Sequence, residues 1–185
     1  MVLYVNSCVR SNSRTDRLAR AVLSHLKEDV VELRVGSEEM NPLDEEAVDY
    51  RNQCIEEGRM TDPVFFYAKQ FAAADTIVMS APFWDFSFPA ILKTYIENIS
   101  VPGVTFHYDD QGIPRGMCKA KRIIYVSTSG GPFFPEYGYD YIRAIAHDQF
   151  GIEDACLVVA ERLDLPETDV EKTLEETIRD LDQIL

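Results

Sequence analysis

The 185-residue sequence has no apolar run approaching the roughly 20 residues that a membrane-spanning helix needs. Its first residues, MVLYVNSCVR, lack a basic stretch ahead of an apolar one and any signal-cleavage pattern, so a cytoplasmic protein is expected. Cations are scarce. Eighteen Lys and Arg against 32 Asp and Glu leave a formal net charge of −14 with no local basic run, which argues against nucleic acid or an anionic membrane as partner. Cys8, Cys54, Cys118 and Cys156 are far apart and form no C-x-x-C pair, so neither a zinc knuckle nor a redox dithiol is suggested. Reduced, mostly buried thiols are expected, with Cys8 set apart because it sits in the first loop, where backbone amides can lower a thiol's pKa. Neither G-x-G-x-x-G nor G-x-x-x-x-G-K-[ST] occurs, which disfavours a Rossmann dinucleotide site and a P-loop NTPase.

What is present is ordinary globular composition, 46% hydrophobic and 27% charged, in a length that suits one domain spanning residues 1–185. Short apolar runs at Val2–Val5, Val30–Val35, Thr76–Met79, Arg122–Val126 and Ala155–Ala160 alternate with stretches at helical spacing. That alternation predicts an α/β fold, a parallel five-stranded sheet wrapped in helices, although the pattern alone leaves the strand order open. Leu18, Val22 and Leu26 share one face of a helix that can start at Ser13 or Thr15. Ile91, Leu92, Tyr95, Ile96 and Ile99 repeat the spacing after Pro89, a residue tolerated in a first turn. Thr168 and Glu171 read as a capping box ahead of the stripe Val170, Leu174, Ile178, Leu181 and Leu185, opposite a strongly acidic, solvated face. The polar segment from Asn41 to Pro63 reads as an elaborated connection, helical from Asp44 onward.

Ligands of such sheets sit beyond the carboxyl ends of the strands, which directs attention to three loops. The first, NSCVRSNSRT, offers Ser7, Ser11, Ser13 and Thr15 with Arg10 and Arg14 ahead of a helix. Hydroxyls, backbone N–H groups and one or two cations at a helix N-terminus are what a phosphate needs; a serine-rich turn with N-cap serines has the same composition. The second, SAPFWDFSF at residues 80–88, holds the only tryptophan. It suits either a planar ring bound at a strand end or aromatics packed beneath the next helix. The third, STSGG at Ser127–Gly131, pairs hydroxyl donors with glycines that let backbone come close to a ligand, as an ordinary loop also can. These loops follow strands one, three and four, where a flavodoxin-like sheet keeps its mononucleotide.

Together, Ser7–Thr15, the AP-F-W-D-F turn, the P-A-I-L-K-T-Y-I helix, G-V-T-F-H-Y at Gly103–Tyr108 and T-S-G-G at Thr128–Gly131 identify a resemblance. In order and spacing the chain resembles the FMN-dependent NADH-azoreductases and NAD(P)H:quinone oxidoreductases, over most of its length. The resemblance implies a flavodoxin-like three-layer α/β/α fold of strand order 2-1-3-4-5, and a homodimer with active sites at the interface. It further implies FMN as cofactor, NADH or NADPH as electron donor, and a small flat aromatic acceptor such as a quinone or azo compound. By residue, it places Ser7, Ser13, Arg14 and Thr15, with Arg10 nearby, at the FMN phosphate. Pro82, Phe83, Trp84, Asp85 and Phe86 would line the ring and ribityl chain, and Thr128, Ser129, Gly130 and Gly131 the far edge of the ring. Phe106 would wall the substrate cavity from the partner subunit.

Two features depart from the family. Asp85 stands where asparagine or glutamine is common, and a carboxylate facing the flavin would lower its reduction potential, whereas one facing solvent would not. The segment Pro132–Tyr141 also differs in character, which weakens any inference about substrate shape. No residue need act as a nucleophile; His107 and Tyr108 are the candidate proton donors, with an exposed loop histidine as the plainer account of the first. His147 is assigned to structure and His25 to a helix surface. A flavodoxin-like FMN electron carrier without its own small substrate is the alternative, favoured by the acidic charge and disfavoured by GVTF and the lack of a T-G-[NT]-T loop. A flavin-free interaction module is the third reading.

Overall fold

A computed structural model describes all residues from Met1 to Leu185. The chain runs β1 (Val2–Asn6), α1 (Arg14–Leu26), β2 (Val30–Arg34), α2 (Glu45–Glu56), α3 (Phe66–Ala73), β3 (Thr76–Ser80) and α4 (Ala90–Ile99). It continues through β4 (Phe106–Tyr108), β5 (Pro114–Gly116), β6 (Arg122–Thr128), α5 (Tyr139–Asp148), β7 (Asp154–Ala160), α6 (Val170–Arg179) and α7 (Leu181–Ile184). The main sheet is wholly parallel in the order β2-β1-β3-β6-β7, the expected 2-1-3-4-5 once the small β4-β5 pair is set aside.

Parallel strands covered on both faces need side chains that are apolar on both, so they read as continuous runs rather than alternations. In β1 every residue from Val2 to Val5 is fully buried. Leu3, Val5, Ile77, Met79, Ile123 and Tyr125 face a core shared with α2 to α5, through Cys54, Phe71, Leu92, Tyr95 and Ile142. Val2, Tyr4, Val78, Ile124, Val126 and Val158 face the opposite core, closed by Leu18 and Val22 of α1, Leu174 of α6 and Leu181 of α7. The helices therefore form the two outer layers.

Several local expectations change. Val35 leaves the second strand for a short 3-10 turn, Val35–Ser37. The last helix is capped not by a Thr168–Glu171 box but by Asp169, whose carboxylate accepts from Lys172 N at 3.1 Å, while Glu171 pairs with Arg17 at 2.6 Å. Asp44 does begin the helix of the long connection, accepting from Ala47 N at 2.8 Å. The antiparallel arm β4-β5, pairing Phe106 with Gly116 and Tyr108 with Pro114, has no clear counterpart in the sequence pattern. His147 lies on the exposed face of α5 with Nδ1 2.7 Å from Asp148, rather than in packing. No helix is long and apolar enough to cross a membrane.

Candidate functional site

Strands β1, β3 and β6 end side by side, and the loops that leave them are tied together before any ligand is considered. Ser7 N donates to Ser80 O at 3.0 Å, Phe83 N to Thr128 O at 3.0 Å, and Ser129 N to Ala160 O at 3.1 Å. The buried Thr15 and Thr128 hydroxyls meet at 2.6 Å, joining the first turn of α1 to the end of β6. Between these loops opens a cavity of about 320 Å³. Its lining includes Arg10, Ser13, Arg14, Thr15, Pro82, Phe83, Trp84, Thr128, Ser129 and Gly130, ten of the residues named from sequence.

At one end the cavity meets the N-terminus of α1. Ser13 is the N-cap, its hydroxyl accepting from Asp16 N at 3.3 Å, and the helix presents its first N–H groups and positive dipole end beside Arg10 and Arg14. In a chain of net charge −14, two guanidinium groups against one carboxylate, Asp164, leave this small cavity locally cationic, which suits an anion. Beneath the loop, Asn6 organises a polar floor: its amide nitrogen donates to Asp16 at 2.9 Å and Glu32 at 3.0 Å, and its oxygen accepts from Cys8 N at 3.0 Å. Arg20 bridges the same two carboxylates at 3.1 Å, and Tyr4 donates to Asp16 at 2.6 Å. Burial, reinforced by that hydrogen bond, pushes the Tyr4 hydroxyl far above its ordinary range. Although burial opposes it, the Asn6 amide and Arg20 guanidinium hold the Glu32 carboxyl below its usual value.

Two expectations for this loop are corrected. The Cys8 thiol is 4% exposed and burial drives its pKa up, not down, because the cost of a buried thiolate outweighs the opposing pull of the Ser13 and Ser80 hydroxyls and of Arg34. Ser7 stands behind the cavity, fully buried, with its hydroxyl donating to Ser80 O at 2.7 Å.

The other end is aromatic. Trp84 and Ser87 exchange backbone bonds of 2.7 and 2.8 Å, closing a two-residue turn whose central residues, Asp85 and Phe86, have φ of 50° and 61°. Two consecutive left-handed residues are the signature of a type I′ turn. Asp tolerates that conformation; for Phe it costs about 1–2 kcal/mol. The Phe86 ring is 60% exposed, stacked on Phe134 at 5.7 Å and edge-on to Tyr137 at 5.6 Å, while Phe83 packs on Phe133 at 4.9 Å. Phe88 turns inward toward Tyr141 at 5.7 Å, so the aromatic loop divides between wall and packing. Trp84 is 40% exposed, with the Arg10 guanidinium 6.0 Å from its ring centre. Asp85 is exposed at the tip of the turn.

Asp85, Phe86 and Gly131 adjoin the cavity without lining it, and Phe106, His107 and Tyr108 lie apart on the β4-β5 arm. Phe106 is only 5% exposed and edge-on to Tyr108 at 5.3 Å, so the aromatic this arm presents outward is Tyr108, 59% exposed. Sequence reasoning missed Val9, Asn12, Leu163 and Asp164. The last two enter from the loop after β7, zipped to the third loop by Arg162 N on Gly131 O, Leu163 N on Ser129 O and Asp164 N on Gly130 O at 2.9–3.0 Å. The Asp164 carboxylate then accepts from Arg14 Nη1 at 2.7 Å. The open side of Gly130 is filled by this carboxylate, which a Cβ would overlap, whereas Gly131 faces free space.

Similarity to known proteins agrees with this geometry. The FMN-dependent NADH:quinone oxidoreductase 2 of Clostridium acetobutylicum is 36% identical, covering 96% of this chain and 94% of its own length. An FMN-dependent NADH:quinone oxidoreductase of Coprothermobacter proteolyticus is 32% identical, covering 99% and 96%. The crystal structure of an azoreductase from Bacillus anthracis superposes with a TM-score of 0.82 at 25% identity, covering 99% of this chain and 97% of that one. A family model described as the flavodoxin-like fold matches residues 1–185, and with an oxidoreductase relative at 36% identity the chain belongs to that flavodoxin-like family.

Proposed function

We propose that the chain is an FMN-dependent NAD(P)H oxidoreductase that reduces quinones, azo compounds or similar flat acceptors. The observation that carries this reading is the single cavity joining a cationic helix N-terminus to an aromatic wall, a shape and chemistry that match a phosphate linked to a planar ring. Its size falls within the ordinary range for sites that enclose small organic ligands. Ser13, Arg10, Arg14 and the N–H groups of α1 would hold the phosphate. Thr15 contributes mainly by fixing the loop through Thr128. Pro82, Phe83 and Trp84 would flank the ring, with Thr128, Ser129 and Gly130 at its edge. Bound there, FMN supplies hydride acceptance from NADH or NADPH and two-electron delivery to the acceptor. The protein's share is orientation and the exclusion of water by Phe83 and Trp84 of the lining, backed by the adjoining cluster of Phe86, Phe134 and Tyr137.

These aromatics also favour a homodimer, because the clustered Phe86, Phe134 and Tyr137 and the exposed Trp84 of the same turn are left uncovered in one protomer. In that assembly Phe106 braces Tyr108, and the exposed His107 and Tyr108 are the candidate proton donors to an acceptor held at the interface. A cytoplasmic location is part of the same proposal. The test is steady-state oxidation of NADH or NADPH by FMN-loaded protein with a simple quinone; a loaded protein that consumes neither nucleotide contradicts the enzyme. The variant Ser13→Ala with Arg14→Ala should weaken FMN binding by about 10- to 100-fold, and unchanged retention contradicts the phosphate site.

A further inference from the structure

The loop after β7 contributes a negative charge to a cavity whose other ionic groups are positive. Asp164 is placed there firmly: its own N–H is bonded to Gly130 O, the neighbouring Leu163 N–H to Ser129 O, and its carboxylate lies against the bare face of Gly130. From that seat one carboxylate oxygen takes a single Arg14 nitrogen at 2.7 Å, beside the N-terminus of α1. A flavin phosphate entering this end would meet Arg14 already partly neutralised, with a like charge a few atoms away.

We propose that Asp164 is a specificity-determining residue that competes with the flavin phosphate for Arg14, so that it restrains affinity for FMN while leaving affinity for the phosphate-free flavin untouched. The inference rests on the FMN reading of the cavity. It follows from charge and not from shape, because asparagine fits the same space against Gly130 and still offers Arg14 a carbonyl oxygen. The cost of the carboxylate is an ion-pair interaction that FMN binding must weaken or share. Riboflavin, which presents the same ring and ribityl chain without the phosphate, makes no such demand on Arg14.

The test titrates the full-length chain, freed of flavin, with FMN and separately with riboflavin, following quenching of flavin fluorescence, for wild type, Asp164→Asn, Arg14→Ala and the double variant. Asp164→Asn should tighten FMN about three- to tenfold, with riboflavin unchanged, and the gain should vanish in the Arg14→Ala background. FMN affinity that is unchanged or weaker in Asp164→Asn, or an equal gain for riboflavin, overturns the proposal and makes Asp164 a fastener of the two loops. A wild-type chain that binds neither flavin overturns the FMN reading itself, and with it this proposal.

Discussion

At the phosphate end of the cavity the polar groups of the supporting floor are answered within the chain, whereas at the ring end large aromatic surfaces are left without a partner. Asn6, Asp16, Glu32, Arg20 and Tyr4 bond one another beneath the first loop, and Thr15 meets Thr128 above it. None of the buried polar atoms that lack a partner, on Arg51, Gln70, Tyr95 and Tyr125, belongs to this floor. By contrast Trp84, Phe86, Phe134 and Tyr137 are 37–60% exposed, and the turn between the first two carries backbone strain. The difference teaches where each kind of recognition resides. An anion needs donors fixed in advance, since moving charged groups at the moment of binding is costly. A flat ring needs broad apolar surface, which stays exposed until a ring or a second protomer covers it.

Breaking the rigid end should have the largest effect on the fold. Asn6→Ala removes the acceptor of the buried Cys8 N–H and the amide that holds Asp16 and Glu32 together. Leaving those groups unanswered should cost about 2–3 kcal/mol, a fall in Tm of about 5–10 °C for a domain of this size. Thermal unfolding of the flavin-free protein measures it, and a shift below about 2 °C would mean the floor does not depend on Asn6. Glu32 adds a direction with pH. Its folded pKa is depressed, so its contribution is present above the unfolded value and is lost as acid brings the pH down through the folded one. The stability gap between wild type and Asn6→Ala, whose amide is one cause of that depression, should therefore narrow under acid.

The two ends also differ in how much of them was legible in the sequence. The strands were legible because burial on both faces leaves continuous apolar runs, and the donor-rich loops because hydroxyls and glycines at strand ends carry a local mark. Asp164 carried none. It lies in ERLDLPET, a segment that becomes part of the site only when Arg162, Leu163 and Asp164 pair with Ser129–Gly131 across the sheet edge. Cys8 departs from expectation because loop membership suggests access, whereas the thiol turns under Ser80, within 3.5 Å of its hydroxyl. The β4-β5 arm escaped because three-residue strands leave no periodicity. Phe86 gives no hint of a left-handed backbone, since that conformation is imposed by the turn around it.

At the ring end the expected effects on stability are smaller, and they test whether the strain serves binding. Phe86→Asn removes a stacked ring worth about 1 kcal/mol and relieves a backbone penalty of similar size, so folding stability should stay within about 1 kcal/mol of wild type. Acceptor KM should rise several-fold, because the variant strips the wall that orients a flat molecule. Chemical denaturation and steady-state kinetics separate the two readouts. A stability loss above about 2 kcal/mol would make Phe86 an ordinary packing residue and dissolve the contrast between the ends.

Asp85 is the finest test of that contrast. Its carboxylate occupies the tip of the same turn, exposed, with backbone that asparagine adopts as readily. A charge so well solvated interacts with the reduced flavin by no more than about 1 kcal/mol. For a two-electron couple that is about 20 mV, and removing a negative charge moves the potential upward. Asp85→Asn should therefore raise the bound-flavin midpoint potential by at most about 20 mV while leaving Tm unchanged. An increase beyond about 60 mV would require the carboxylate to lie against the ring in a water-poor site. In that case the turn would be tuning the flavin electrostatically, and the aromatic end would share the charge logic that otherwise belongs to the phosphate end alone.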